Sequence, residues 1–121
     1  MKNKGFSLLE MLIGLAILAV GILAIAALQT TSVRGNFFSH NLMQATYIAQ
    51  DRLESLRNLP FNSALLDPGT YNESSTTIAG IVFNRSYQVN INPSGYKEIT
   101  YTVSWNDGVD HRISFSTARS P

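Results

Sequence analysis

The chain has 121 residues, of which 45% are hydrophobic and only 14% charged, and its formal net charge is +1. This length fits one compact domain plus an N-terminal segment, and the near-neutral charge gives no overall footprint of a nucleic-acid-binding protein. Because the sequence contains no cysteine, it excludes disulfide bonds, thiolate metal sites, a cysteine nucleophile and a lipoprotein anchor.

The first element is an apolar stretch over residues 6–28 that only Ser7 and Glu10 interrupt. As a helix it would be about 34 Å long, which is enough to cross a hydrocarbon core of about 30 Å. Lys2 and Lys4 precede it with no acidic residue nearby. The positive-inside rule therefore predicts a cytoplasmic N-terminus and a single-pass anchor, with the rest of the chain outside the membrane.

Two simple interpretations compete for this stretch. It could be a secretory signal with Ala24-Ile25-Ala26 as its cleavage site, or a plain transmembrane anchor. Glu10 argues against both, because a carboxylate at the centre of a bilayer costs about 2.5 kcal/mol or more, less near its edge, and is rare without a use.

Residues 4–10, with the sequence KGFSLLE, resemble the prepilin-peptidase motif of type IV pilins and type II secretion pseudopilins. The resemblance implies that prepilin peptidase cleaves between Gly5 and Phe6 and methylates the new amino group of Phe6. It also implies that Glu10 is the assembly carboxylate, which sets the register by pairing with the Phe6 amine of a neighbouring subunit. An ion pair of this kind is tolerable in a low dielectric where a lone charge is not.

The resemblance extends further along the chain. Residues 21–29 and 49–57 are similar to PilV-type minor pilins. Major pilins often carry a proline in the middle of the hydrophobic helix, whereas this sequence has none before Pro60, which favours a minor pilin or a pseudopilin. The regions implied are a leader at 1–5, an assembly helix at 6–29, an amphipathic helix at 30–59, and a loop with a sheet at 60–121.

Helical periodicity continues beyond the apolar stretch. Six apolar residues recur every three or four positions and form one stripe: Phe38, Leu42, Ala45, Ala49, Leu53 and Leu56. Pro60 disfavours helix at the residue before it, so the pattern predicts one helix from about Phe6 to about Asn58. Gly35-Asn36 is a predicted point of bending or fraying.

The period changes in the second half of the chain. Residues 60–75 are rich in Pro, Gly, Ser and Asn and predict a loop. Alternating apolar residues then predict strands over 87–91, 99–105 and 109–115, with turns at 92–95 and 106–108, and a fourth strand over 76–83. The predicted fold is α+β, a long N-terminal helix packed on a small antiparallel sheet of three to four strands.

Candidate metal and catalytic residues are few. Asp107, Asp110 and His111 surround a turn and could offer oxygen ligands to calcium, but Asp107-Gly108 is also ordinary hairpin chemistry. His40 and His111 stand apart in the sequence, and no hydrolase or phosphate-binding motif is present. We therefore expect no catalytic site, no metal and no cofactor.

Trp105 and Tyr101 could stack on nucleic-acid bases if they were exposed. Their alternation with Val103 and Ile99 instead predicts a face that packs on the helix. Beyond Pro60 the charges nearly balance, with five acidic and four basic residues: Asp67, Glu73, Glu98, Asp107 and Asp110 against Arg85, Lys97, Arg112 and Arg119. Nucleic acid is not expected as a partner.

The predicted protein is therefore structural and not an enzyme. It is a minor pilin subunit of a type IV pilus, with a type II secretion minor pseudopilin or a tip adhesin or DNA-binding pilin as alternatives. The resemblance implies as partners the prepilin peptidase, other major and minor pilins, the bacterial inner membrane and the pilus assembly platform. It places the outer domain in the periplasm before assembly and in the pilus fibre or at the cell surface afterwards.

Overall fold

The computed structural model describes residues 5–121, so Lys2 and Lys4 of the predicted leader lie outside the described residues. The elements follow in the order α1 (Leu8–Arg57), a short 3₁₀ helix (Ala64–Leu66), β1 (Gly69–Ile78), β2 (Ile81–Ile91), β3 (Lys97–Asn106) and β4 (Asp110–Arg119). The chain divides into two compact units, an N-terminal unit that ends at Ser39 and a C-terminal unit, His40–Pro121. A long helix and a four-stranded antiparallel sheet confirm the α+β prediction.

Helix α1 is a single element of 50 residues. It begins at Leu8, two residues later than predicted, and ends at Arg57, where the Leu59 N–H donates to the Leu56 carbonyl (3.2 Å) before Pro60. The helix is uninterrupted at Gly35 and Asn36, although the sequence predicts a weak point there. One glycine costs a helix only about 1 kcal/mol, which a long run of helix formers on both sides can absorb.

The strands form a meander in the order β1-β2-β3-β4, with every neighbouring pair antiparallel. Tyr87 lies opposite Tyr101, and Tyr101 lies opposite Phe115. Alternate residues of β3 are buried from Lys97 to Trp105, so β3 supplies most of the face that packs on α1. The predicted alternation in this strand is confirmed.

The core of the C-terminal unit joins one stripe of α1 to the inner face of the sheet. Ala45, Ala49 and Leu56 are buried as predicted, and Leu42 and Leu53 pack against them. The remaining buried hydrophobic residues are Ile48, Leu66, Phe83, Tyr87, Val89, Ile99, Tyr101, Val103 and Trp105. Phe38, the first member of the predicted stripe, is 38% exposed, and Asn41 and Ile48 are buried although the stripe omits them.

The prediction for residues 60–83 was wrong in two respects. The predicted loop contains the 3₁₀ helix, and from Gly69 onward it is strand β1. The predicted fourth strand at 76–83 instead contains the β1–β2 turn at Ala79 and Gly80, both with positive φ (51° and 82°). Alanine seldom adopts this conformation, so the sequence gives little local sign of the turn. Strand β1 is polar and lies at an edge of the sheet, and its own composition does not favour a strand. Its pairing with β2 stabilises it.

Candidate functional site

The predicted cleavage site lies just before α1. Gly5 and Phe6 are exposed and non-helical, and Phe6 is 85% exposed. A Cβ atom added at Gly5 would meet no described atom within 4 Å. Steric contact with the described residues therefore gives no reason for glycine at position 5.

Ser7 and Glu10 bind each other across the first turn of α1. The Ser7 N–H donates to Glu10 Oε2 (3.1 Å), and the Glu10 N–H donates to Ser7 Oγ (3.2 Å). This is a capping box, in which two backbone donors at the helix start are satisfied reciprocally. The arrangement holds the Glu10 carboxylate at the positive end of the helix dipole. The carboxylate accepts from the N–H of Ser7, which is the residue after Phe6.

Sequence reasoning missed the part that Ser7 plays. The signal was present as Ser-x-x-Glu directly before a hydrophobic run, which is the sequence pattern of a capping box. By composition alone, Ser7 is only an interruption of the apolar stretch. The structure shows instead that Ser7 orients the one carboxylate in that stretch.

From Met11 to Leu28 the helix is apolar on all sides and exposed. Every described residue from 5 to 40 is exposed, and α1 contains a window of 18 residues apolar enough to cross a membrane, none of which is buried in the structure. Water solvates such a surface poorly, at a cost of about 25 cal/mol per Å² of apolar area. This segment therefore requires lipid or other protein chains around it.

A charged cluster fastens α1 to the sheet in the C-terminal unit. Arg52 donates to Glu73 through Nε (3.3 Å to Oε1) and through a second nitrogen (2.5 Å to Oε2), and the Tyr101 hydroxyl donates to Glu73 Oε1 (2.5 Å). Burial by itself would raise the pKa of Glu73, but the hydrogen bonds from Arg52 and Tyr101 outweigh it and hold that pKa below its usual range. Burial and the bond to Glu73 raise the pKa of Tyr101.

A cavity of about 420 Å³ opens beside this cluster. It is lined by Arg52, Leu65, Tyr71, Asn72, Glu73, Ser74, Arg85 and Tyr87. Its charged groups are already engaged, because Arg52 pairs with Glu73 and Arg85 donates to the carbonyl (2.8 Å) and hydroxyl (3.3 Å) of Ser74 at the β1 bulge. These contacts stabilise the packing of α1 on the sheet. They do not indicate a chemical reaction.

The turn residues considered for calcium bind their neighbours. The His111 ring contacts Asp107 Oδ1 (2.8 Å), the Asn41 amide donates to Asp107 Oδ2 (3.5 Å), and Asp110 accepts from Asn106 (2.6 Å). Among residues 5–121, no three His, Cys, Asp or Glu side chains gather as a metal site would require. The pKa of Asp107 lies below its usual range; partial burial would raise it, and hydrogen bonds from His111 and Asn41 outweigh that effect.

The candidate aromatic and histidine residues are placed by the fold. Tyr101 and Trp105 are 0% and 2% exposed, so the prediction that they belong to the core is confirmed and they offer no stacking surface. His40 is exposed on α1, whereas His111 is partly buried on β4 against the Trp105 ring, with 5.2 Å between ring centroids. The structure shows no catalytic pairing of the two histidines.

Comparison with known proteins identifies the N-terminal segment. The family model for the prokaryotic N-terminal methylation motif matches residues 1–26. This match indicates the type IV pilin-like or pseudopilin class, whose members are structural subunits that prepilin peptidase processes and that assemble with other pilins. No curated protein and no solved structure matches the chain, and the likeness to PilV-type minor pilins stays a prediction.

Proposed function

We propose that this chain is a minor pilin subunit of a type IV pilus. Prepilin peptidase cleaves it between Gly5 and Phe6 and methylates the Phe6 amino group, and other pilins then take it up through α1. The observation that carries the proposal is the methylation-motif match over residues 1–26, together with an apolar 18-residue window of α1 in which no residue is buried. The missing proline before Pro60 favours a minor subunit over a major one.

In this proposal the chain begins as a single-pass protein of the bacterial inner membrane. The leader at 1–5, with Lys2 and Lys4, stays in the cytoplasm, and residues 6–29 span the membrane. The amphipathic helix at 30–59 leads into the loop and sheet at 60–121, which lie in the periplasm until the pilus assembly platform extracts the subunit. The apolar character of α1 supports the anchor, and the two lysines support its orientation.

Glu10 is the proposed assembly carboxylate. Before assembly its partner is the Ser7 backbone N–H of the same chain. In a fibre, where helices pack together and exclude water, the methylated amine of Phe6 on a neighbour needs a counter-charge, because an unpaired buried charge is costly. Glu10 supplies it and so sets the register between subunits.

A minor pseudopilin of type II secretion is the second candidate. The methylation motif is shared by both kinds of subunit, so the match supports either. The two differ in what the assembled fibre serves, and deletion of the gene separates them. Loss of twitching motility with normal secretion supports the pilus, whereas loss of secretion with normal twitching supports the pseudopilus.

The proposed processing is tested by a Gly5→Leu substitution in cells that contain prepilin peptidase. We expect intact mass spectrometry to show an unprocessed membrane species that retains residues 1–5, because a side chain at Gly5 obstructs entry of the backbone into the peptidase. Gly14→Leu is the matched control, since an added Cβ meets nothing within 4 Å at either glycine. A mature Gly5→Leu chain that starts at Phe6 would contradict the assigned site.

A further inference from the structure

Strand β4 leaves one edge of the sheet open. Among the described residues β4 pairs only with β3, and it does so at all ten positions without a shift in register. The opposite edge, β1, is interrupted by a bulge between Glu73 and Thr76. A long regular edge is a template for another strand, and natural proteins usually blunt such edges with proline, lysine or bulges. Strand β4 has none of these, and it is uncharged from Ile113 to Ala118.

The two hairpin ends show which backbone groups face outward. The Asn92 N–H donates to the Tyr96 carbonyl at one end of β3, and the Asp107 N–H donates to the Val109 carbonyl at the other. Hydrogen-bonded pairs alternate along an antiparallel ladder. Asn92 and Tyr96 form such a pair, so the even-numbered residues of β3 bond to β2 and its odd-numbered residues bond to their odd-numbered partners on β4. Asp107 and Val109 form such a pair at the other end, which gives the same assignment. The even-numbered residues therefore direct N–H and C=O groups away from the sheet: Arg112, Ser114, Ser116 and Ala118.

Side chains beside this edge are only partly covered. Ile113 and Phe115 are partly buried, whereas their partners on β3, Val103 and Tyr101, are 0% exposed. A groove of about 290 Å³ adjoins β4 and is lined by Gln50, Leu53, Glu54, Arg57 and Thr117. Apolar side chains of an added strand would lie beside Ile113 and Phe115 and extend the core.

The charges near the edge indicate the chemistry of the added strand. Arg119, at the end of β4, has a buried Nε with no hydrogen-bond partner among the described residues, and buried polar groups normally have one. Arg112 is exposed on the same strand, while Asp110, the only acid of β4, accepts from Asn106. The edge therefore favours a partner that brings a carboxylate.

We propose that the edge of β4 receives an extended segment of a neighbouring pilin subunit, which adds as a fifth strand. Its alternate apolar side chains pack beside Ile113 and Phe115, and its carboxylate binds Arg119. This inference rests on the proposed function for the identity of the partner.

The test is a Ser116→Pro substitution in the full-length chain. Proline removes an outward N–H but no donor of the β3–β4 ladder, and edge strands tolerate it. We expect the variant to be processed at Gly5/Phe6 but recovered from sheared fibres in amounts about tenfold lower, as a loss of roughly 1.4 kcal/mol in docking would give. Ser116→Val keeps the N–H and should match the unmodified chain. Unchanged recovery of the proline variant overturns the proposal.

Amide exchange on the unmodified chain gives a second measurement, which does not depend on how the proline variant folds. We expect the Ser114 and Ser116 amides to exchange rapidly in detergent-solubilised subunits and at least about tenfold more slowly in fibres, because hydrogen-bonded amides exchange only on opening. Equal rates in the two states overturn the proposal. The proposed function fails if the unmodified chain is neither processed nor found in fibres. The proposal for β4 alone fails if the unmodified chain is processed and found in fibres but its Ser114 and Ser116 amides exchange equally fast in both states.

Discussion

At the scale of single residues, Glu10 has one partner in its own chain and a second in the proposed fibre. The capping box binds it to Ser7 of its own chain, whereas the proposed fibre contact binds it to the amine of another. We propose that the cap orients this carboxylate until assembly provides a full counter-charge.

Substitution of this carboxylate should separate processing from assembly. We expect Glu10→Ala to be cleaved normally and to accumulate in the membrane, while its amount in sheared fibres falls at least about tenfold. Removal of one partner from a buried ion pair costs about 3–5 kcal/mol, which accounts for a loss of this size. Asp51→Ala, which removes an exposed carboxylate of α1 outside the apolar stretch, is the matched control. Quantitative immunoblots of both fractions provide the measurement, and wild-type fibre levels for Glu10→Ala would contradict the proposed role.

In the C-terminal unit, Glu73 is a carboxylate that accepts hydrogen bonds from Arg52 and Tyr101. Its pKa is lowered in the folded state, so its contribution to stability is complete above the unfolded pKa and is lost as the pH falls through the folded value. Asp107 acts in the same direction. The free energy of unfolding should therefore decrease on acidification below about pH 4.5.

Removal of the Glu73 charge should weaken this pH dependence. We expect Glu73→Gln to lower the free energy of unfolding by about 1–3 kcal/mol at pH 7, because hydrogen bonds to charged groups contribute about that much. The difference from the unmodified chain should shrink as the pH falls towards 3, and Asp107 should preserve part of the remaining slope. Chemical unfolding in detergent, followed by Trp105 fluorescence, provides the measurement. Glu54→Gln, at an exposed position of α1, is the control and should change little.

At the scale of elements, the sheet depends on what covers its inner face. Strands β2 and β3 bury side chains on this face, and β1 and β4 partly bury theirs, because the stripe of α1 and the short 3₁₀ helix lie against the sheet. Within the 3₁₀ helix, Leu66 is fully buried, whereas Leu65 is 50% exposed. The segment between α1 and the sheet, predicted as a loop, therefore contributes a core residue.

These two leucines provide a matched pair of truncations. Leu66→Ala should lower the free energy of unfolding by about 2–5 kcal/mol, because it removes buried methyl groups and leaves a cavity. Leu65→Ala should change it by roughly 0.5 kcal/mol or less, as exposed substitutions usually do. Urea unfolding of both variants in the same detergent would test this, and equal losses would contradict the assignment of Leu66 to the core.

At the scale of the whole molecule, the two units bury their apolar residues differently. The C-terminal unit encloses its own core, while every described apolar residue of the N-terminal unit is exposed. The open β4 edge adds a second surface of the same kind. Both features are explained if the chain completes its contacts only in a membrane or among other subunits.

Membrane retention gives the prediction at this scale. We expect the unmodified chain to stay in the membrane pellet after alkaline carbonate extraction and to require detergent for release. Leu18→Arg should shift a substantial fraction into the supernatant, because arginine at the centre of a membrane helix costs about 2.5–3.5 kcal/mol. Leu65→Arg, at an exposed position of the C-terminal unit, is the control. Full extraction of the unmodified chain by carbonate would contradict the anchor.

The sequence by itself determined the features that depend on near neighbours. Helical spacing predicted α1 to within two residues at its start and one at its end, alternation predicted β3, and the turn residues predicted both hairpins of β3. The N-terminal methylation motif was likewise readable, because it lies in one linear segment, residues 1–26, while the roles of Gly5, Phe6 and Glu10 within it stay predictions.

Only the tertiary structure decided the features that depend on distant partners. Strand β1 exists because β2 pairs with it, although its own residues predict a loop, and Ala79 adopts a positive φ because the ladder requires a turn there. Arg52 and Glu73 are 21 positions apart, and Asn41 and Asp107 are 66 apart. No periodic pattern relates such residues, since only the packing of α1 on the sheet brings them together.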